Sequence, residues 1–408
     1  MRSIVPIAAI VVACVPLEVL ADGGGLRVEP LQIEHAQALD RFHAELEALA
    51  DGRRKEPVRI VVYGDSNLAA DRLTGALRRL LQGRHGDAGH GFVAFGEPWP
   101  GYRHQDVRRG WSGSFEMYNP TTRRGRDHRW GYGGVAVESV GPGTVWVGTS
   151  RDGGVGGAVE RFTILYLSRP RGGSVDVELD GQPAGSFSTA GERATTGSFR
   201  MQVVDGPHEL RLRAHAGVRL FGAILERHRP GIVVDSIGIG ALSTYNLLIL
   251  DRAFFVEQLA LRRPDLVVLT MGTNDQNPRR LVAQRGELVD RIREAAPDAS
   301  ILMCSPPDHA RWHPREAAWR SEPRMASISR ALRPIAAQNR AAFWDLFNAM
   351  GGPGSVSRWT AIGFVAGDRI HLRQPLADRM AAALVEALDH DRDRWRRERA
   401  SSRELALR

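Results

Sequence analysis

Cysteine is nearly missing from this 408-residue chain: Cys14 and Cys304 are the two it has. If Cys14 is removed with a leader, Cys304 is alone, no intramolecular disulfide can form, and stability must come from the core. Cys304 ends the apolar run 300–303, and nothing around it would depress its pKa, so it reads as a buried thiol and not a nucleophile. An unbroken apolar run of spanning length is also absent. Residues 4–17 are almost wholly apolar, but Pro6 and Pro16 interrupt them and Glu18 follows, so no integral span is expected. The formal net charge is +8, carried almost entirely by arginine, with acidic residues interleaved and no nucleic-acid-binding motif. That pattern reads first as a solvated surface and second as weak attraction to polyanions. No nucleic-acid partner is expected. No set of side chains has zinc spacing. His309 and His313 stand four apart, but Pro306, Pro307 and Pro314 make that stretch a loop and no further ligand completes it, so no metal and no other cofactor is expected. Internal repeats and long low-complexity stretches are lacking too.

The N-terminus has the texture of a secretory leader: Arg2, then the apolar stretch, then Val19-Leu20-Ala21 ending in a small residue. Cleavage after Ala21 is the favoured reading. Val11-Val12-Ala13-Cys14 also has the form of a lipoprotein box, which would leave Cys14 lipidated. Both readings place the protein in the periplasm, on the cell surface or outside the cell.

Residues 32–49 have helical spacing. A first core strand is expected over 58–63 and a helix over 68–81. From 131 to 227 short alternating strands lie between Gly, Pro and Asp turns, the texture of a β-sandwich of jelly-roll or related type. Strands at 232–236, 266–271, 300–304 and 341–345 then alternate with helices at 247–262, 279–296, 325–339 and 374–388. This alternation predicts a parallel sheet with helices on both faces. The expected organisation is a leader (1–21), an α/β domain in two parts (22–130 and 228–390) interrupted by an all-β insert (131–227), and a basic tail (391–408).

Within that frame three short motifs fall at strand ends. Val61-Val62-Tyr63-Gly64-Asp65-Ser66-Asn67 puts a serine at a strand-to-helix corner, where helix N–H groups favour an incoming anion. Gly272-Thr273-Asn274-Asp275 follows another buried strand, and Asp368-Arg369-Ile370-His371 lies near the C-terminus. Each has a plainer reading. Ser66 or Asn274 alone would be a helix N-cap, and Asp368 with His371 a polar turn. Their joint occurrence at the carboxyl ends of strands, where α/β sheets gather catalytic groups, outweighs the separate readings.

These blocks resemble those of the SGNH (GDSL-type) hydrolases. Ser66 matches the first block, Asn274 the Gly-x-Asn-Asp block, and Asp368 with His371 the Asp-x-x-His block. The glycine block is Ile237-Gly238-Ile239-Gly240-Ala241. Asn67 stands where the family usually has leucine. The resemblance implies a flavodoxin-like three-layer domain around a parallel sheet. It also implies a catalytic triad of Ser66, His371 and Asp368, with an oxyanion hole formed by the backbone N–H groups of Ser66 and Gly238 and the amide of Asn274, Gly240 being the rival glycine. Asp65 and Asp275 read as structural residues of their turns. An insert between the first two blocks is similar to the architecture of bacterial peptidoglycan O-acetylesterases, whose inserted module looks like a carbohydrate-binding jelly roll. The expected activity is removal of O-acetyl groups from a cell-wall or exported polysaccharide, with such a polymer as partner. Rivals are a lipase or carboxylesterase, a polysaccharide O-acetyltransferase on the same triad, and an inert carbohydrate-binding protein. Trp99, Tyr102, Trp111, Trp130 and Trp359 are candidate sugar-stacking residues, although most tryptophans are half-buried core.

Overall fold

The computed structural model describes residues 25–122, 127–152 and 154–407, and the side chains as far as residue 402. The leader and Cys14 lie outside the described residues. After a short 3₁₀ turn, α1 spans Asp40–Ala50, β1 Val58–Gly64 and α2 Arg72–His85. The second α/β stretch holds β11 (Ile232–Gly238), α3 (Thr244–Leu248), α4 (Arg252–Arg262), β12 (Leu266–Leu269), α5 (Pro278–Ala295), β13 (Ser300–Cys304), α6 (Pro323–Gln338), β16 (Ala342–Trp344), α7 (Leu346–Ala349), α8 (Ser355–Ala361) and α9 (Gln374–Leu407).

Five strands make one parallel sheet in the order β11-β1-β12-β13-β16. They are buried on both faces, which is why they read as continuous apolar runs. Alternate side chains feed two cores. Ile60, Val62, Val234 and Val268 pack with α1, α2 and α9. Val61, Tyr63, Val267 and Met303 pack with α4, α5 and α6 on the other side. The result is the expected three-layer arrangement. Cys304 is buried there, and burial pushes its thiol up to about 12.

Between β1 and β11 lies a nine-stranded antiparallel sheet: β2 (Gly91–Ala94), β3 (Val107–Tyr118), β4 (Ala136–Thr149), β5 (Val159–Ser168), β6 (Ser174–Leu179), β7 (Gln182–Ser188), β8 (Thr195–Gly206), β9 (Glu209–Ala214) and β10 (Arg219–Glu226). The sheet does not begin at Gly131, as the turn-rich texture suggests. β2 pairs with β10 and β3 with β4, so both belong to it. β7 and β8 close opposite ends of the strand order, yet Phe187 and Phe199 stack with ring centroids 4.6 Å apart. The sheet therefore curls over its own core of Val145, Val147, Phe162, Ile164, Leu210 and Leu212.

Two further expectations change. The helix predicted from residue 68 starts at Arg72, because Asp71 takes a left-handed conformation (φ 55°) and ends the preceding turn. The basic C-terminal stretch, expected as an exposed helix end or a disordered tail, continues α9 and is partly packed. Trp395 is buried beside His43, and His43 Nε2 lies 2.8 Å from Asp391 in the interior.

Candidate active site

β1 ends at Gly64, and the chain turns at once: the N–H groups of Leu68 and Ala69 bond back to the carbonyl of Asp65. Ser66 sits in this turn, half-exposed. Its N–H is therefore a turn amide and not part of a helix's first turn. The second side of the site comes from the loop before α9. The Asp368 carboxylate accepts the N–H groups of Ile370 (3.0 Å) and His371 (3.1 Å), a compact Asx-type turn. Its other oxygen lies 2.6 Å from His371 Nδ1, and His371 Nε2 lies 3.0 Å from Ser66 Oγ. With Nδ1 donating to the carboxylate, Nε2 is left to accept the serine proton. Burial opposes charge on Asp368, but the bonds from His371 and the two backbone groups outweigh it and hold the carboxyl below its usual range.

Asn274 is brought to the same end of the sheet. Its Nδ2 donates to the Leu242 carbonyl at 3.1 Å, which leaves a second N–H free to point elsewhere. The N-cap of α5 is Asn277, which accepts from Arg279 N–H, so Asn274 is not occupied as a cap. Asp275 accepts Thr244 N–H (2.8 Å) and Thr244 Oγ1–H (2.9 Å) and lies 3.5 Å from the buried guanidinium of Arg285. Asp65 is buried and accepts Asn67 N–H; burial raises its carboxyl despite that bond. Both acids shape their turns.

The two glycines of the fourth block differ. Gly238 is the last residue of β11, paired with Gly64. A Cβ there would fall 2.4 Å from the Leu68 carbonyl carbon, so glycine makes room for the chain just after Ser66. Gly240 lies beyond the strand, and a Cβ there would meet nothing nearer than the Trp99 ring at 3.7 Å. Gly64 and Gly238 form one rung of the ladder, and Ser66 and Gly240 each stand two residues past it.

Asn67 has a task that the sequence does not show. Its Oδ1 accepts the N–H of Leu372 at 3.0 Å, tying the serine turn to the residue after His371. Asn67→Leu, which installs the family's usual residue, removes this tie. We expect kcat on an aryl acetate to fall about tenfold with KM little changed, as a lost hydrogen bond of roughly 1–1.5 kcal/mol would give if felt only in the transition state. Steady-state kinetics check it, and an unchanged kcat would make Asn67 a bystander.

Of the aromatic candidates, Trp130 and Trp359 are fully buried core and Tyr102 is buried. Trp111 is exposed on β3, and Trp99 alone borders Gly240. His309 is buried, its pKa lowered to about 4 by that burial, while His313 is exposed on a hairpin; they make no joint site. Among the described residues one group, Asp71, His90 and His104, has metal-ligand proximity. It does not suit a cation. The Asp71 carboxylate already accepts from Thr74 Oγ1, Arg78 and Gln105 N–H, and the fully buried Arg78 beside it supplies the positive charge. Burial drives both histidines below their usual pKa, His104 to about 4.

Residues 190–374 match the GDSL-like Lipase/Acylhydrolase family. That span holds Gly238, Asn274, Asp368 and His371 but not Ser66, which the fold brings to His371 from outside it. The chain is similar to a solved structure of a peptidoglycan O-acetylesterase, with 23% identity, 86% of this chain and 96% of that one covered, and a TM-score of 0.70. A lipase/acylhydrolase from Enterococcus faecalis matches at 20% identity over 38% of this chain and 75% of its own, with a TM-score of 0.30. No curated protein matches the chain. No helix among the described residues is long and apolar enough to cross a membrane. With its three-layer sheet and a serine–histidine–aspartate chain at the sheet's carboxyl end, the protein carries a domain of the GDSL-like lipase/acylhydrolase family and is an ester-hydrolysing enzyme.

Proposed function

We propose that the protein removes O-acetyl groups from a cell-wall or exported polysaccharide, peptidoglycan first, outside the cytoplasm. The observation that carries the chemistry is the hydrogen-bonded line Ser66–His371–Asp368, at 3.0 and 2.6 Å. His371 takes the serine proton as Oγ attacks the acetyl carbonyl, then returns it to the departing sugar hydroxyl. Asp368 fixes the imidazole tautomer and stabilises the imidazolium. Water, deprotonated by the same histidine, releases acetate from Ser66. The oxyanion is met by the N–H of Ser66, the free N–H of Asn274 and a backbone N–H at the end of β11. We assign that last donor to Gly240, level with Ser66 and past the paired strand, in preference to Gly238.

Hydrolysis is favoured over acetyl transfer because the site is open: the side chains of His371 and Asp368 are 46% and 47% exposed, so water reaches the acyl-enzyme. The polymer substrate is supported by the basic surface, by the secretory texture of the N-terminus, and by the similar fold of a peptidoglycan O-acetylesterase. The test is acetate release from O-acetylated peptidoglycan, O-acetylated xylan and an aryl acetate, side by side. We expect kcat/KM on peptidoglycan to exceed that on xylan. Cleavage of the aryl ester alone would leave a small-molecule esterase.

A further inference from the structure

Beside the site stands a two-stranded hairpin, β14 (Ala310–His313) and β15 (Ala318–Ser321), in a stretch that reads from its prolines as a loop. It is fastened to the loop carrying the proposed triad. Ala310 N–H donates to the Arg369 carbonyl at 3.1 Å, and the Arg369 guanidinium lies over the Trp319 ring, 4.9 Å from its centroid. Arg369 sits between Asp368 and His371. Trp312 is directly opposite Trp319 across the hairpin, edge to face at 5.8 Å. Trp319 is half-buried and packs against the hydrophobic core, whereas Trp312 is 48% exposed. A hairpin of this size is marginal alone, and its inner tryptophan and Arg369 suffice to hold it down. A large aromatic ring left in water next to a catalytic loop is the part that this account does not explain.

We propose that Trp312 is a stacking platform for a sugar ring of the glycan chain, adjoining the residue whose ester is cleaved. The apolar C–H face of a pyranose lies flat on an indole, and Trp312 offers such a ring to solvent while its cross-strand partner Trp319 is half-buried. The occupant is a sugar and not a lipid chain, because Trp312 is the one exposed large apolar side chain of the hairpin and its flanking residues Arg311 and His313 are polar and exposed. The platform rests on the polysaccharide reading above and gives it an address. Binding energy taken up here is remote from the reacting bond, so it holds the polymer in register over Ser66.

The test uses Trp312→Ala and Trp312→Phe in the full chain, since Trp312 touches none of the reacting groups. For Trp312→Ala we expect KM on O-acetylated peptidoglycan fragments to rise about tenfold, with kcat and the aryl acetate kcat/KM within about twofold of wild type. Trp312→Phe should recover most of the loss. A tryptophan that merely pins the hairpin would change melting temperature or both substrates alike, and that result overturns the platform. So does an unchanged glycan KM with peptidoglycan still deacetylated, which leaves the activity standing. To separate the two readings, glycan binding is followed by isothermal titration calorimetry in Ser66→Ala and in Ser66→Ala/Trp312→Ala. Binding lost with Trp312 upholds the platform even if acetate release from that glycan fails. No binding by either protein removes it.

Discussion

Replacing Ser66 by alanine is expected to lower kcat on an aryl acetate by about 10⁴–10⁶ while the protein stays folded. The half-exposed hydroxyl bonds His371 and nothing in the core, so its loss costs little stability. The rate loss is large because nucleophile, base and orienting acid act as one unit. Asp368→Asn should cost about 10⁴, because an amide donating to Nδ1 would turn the proton onto Nε2 and leave no base facing Ser66. Asn274→Ala should cost less, about 10²–10³, as one oxyanion donor among three. The Asp368 carboxyl, held below its usual range by its bonds from His371 and the turn, stays the anion that its orienting role requires. Purified variants assayed for single-turnover acetate release would check all three, with circular dichroism confirming the fold. Near wild-type activity in Ser66→Ala would move the nucleophile elsewhere.

The candidate site at the carboxyl end of the sheet was legible in the sequence because its motifs are local. Gly-Asp-Ser, Gly-x-Asn-Asp and Asp-x-x-His each close a turn within a few residues, and an Asp three residues before a His can reach its ring without help from the rest of the fold. The parallel strands were legible for the same reason, as apolar runs that need no partner to be recognised. What could not be read depends on contacts across long separations. Asn67 looks like a departure from pattern until Leu372 is found on its oxygen. The turn-rich texture marks where strands crowd together, so it missed β2 and β3, which are separated from β4 by a longer connection and identified only by pairing. The exposed Trp312 was hidden because a proline-rich stretch suggests a loop. A lone tryptophan carries no signal until its cross-strand partner is known to be Trp319.

The same long-range pairing sets the largest expected effect on stability. Arg262, at the end of α4, is buried and donates to Asp235 on β11 (3.0 Å from Nη2 to Oδ1) and to Glu226 on β10 (2.6 Å). It therefore joins the parallel and antiparallel sheets. Arg59 of β1 and Arg161 of β5 also reach Glu226, at 2.8 and 2.5 Å. Burial works against charge on Glu226, but these arginines, Arg262 foremost, hold its carboxyl far below the usual range. Tyr132 OH completes the shell of Asp235 at 3.1 Å, so excising residues 131–227 would strip this network as well as cut the sheet. Arg262→Met keeps the bulk but leaves Asp235 buried without its cation. Removing one partner of such a pair costs about 3–5 kcal/mol, more than any surface ion pair here could. The sign with pH follows. In wild type the depressed carboxyl of Glu226 contributes stability above the unfolded glutamate pKa, and that contribution is lost as pH falls through the folded value. Arg262→Met removes the foremost of the cations that hold Glu226 ionised, so less of that contribution remains. Urea unfolding at pH 7 should therefore show a large loss. Asp235→Asn/Arg262→Met should recover part of the loss at pH 7. A single variant within about 1 kcal/mol of wild type at pH 7 would show that the two sheets are held together by their apolar contacts and not by this buried charge.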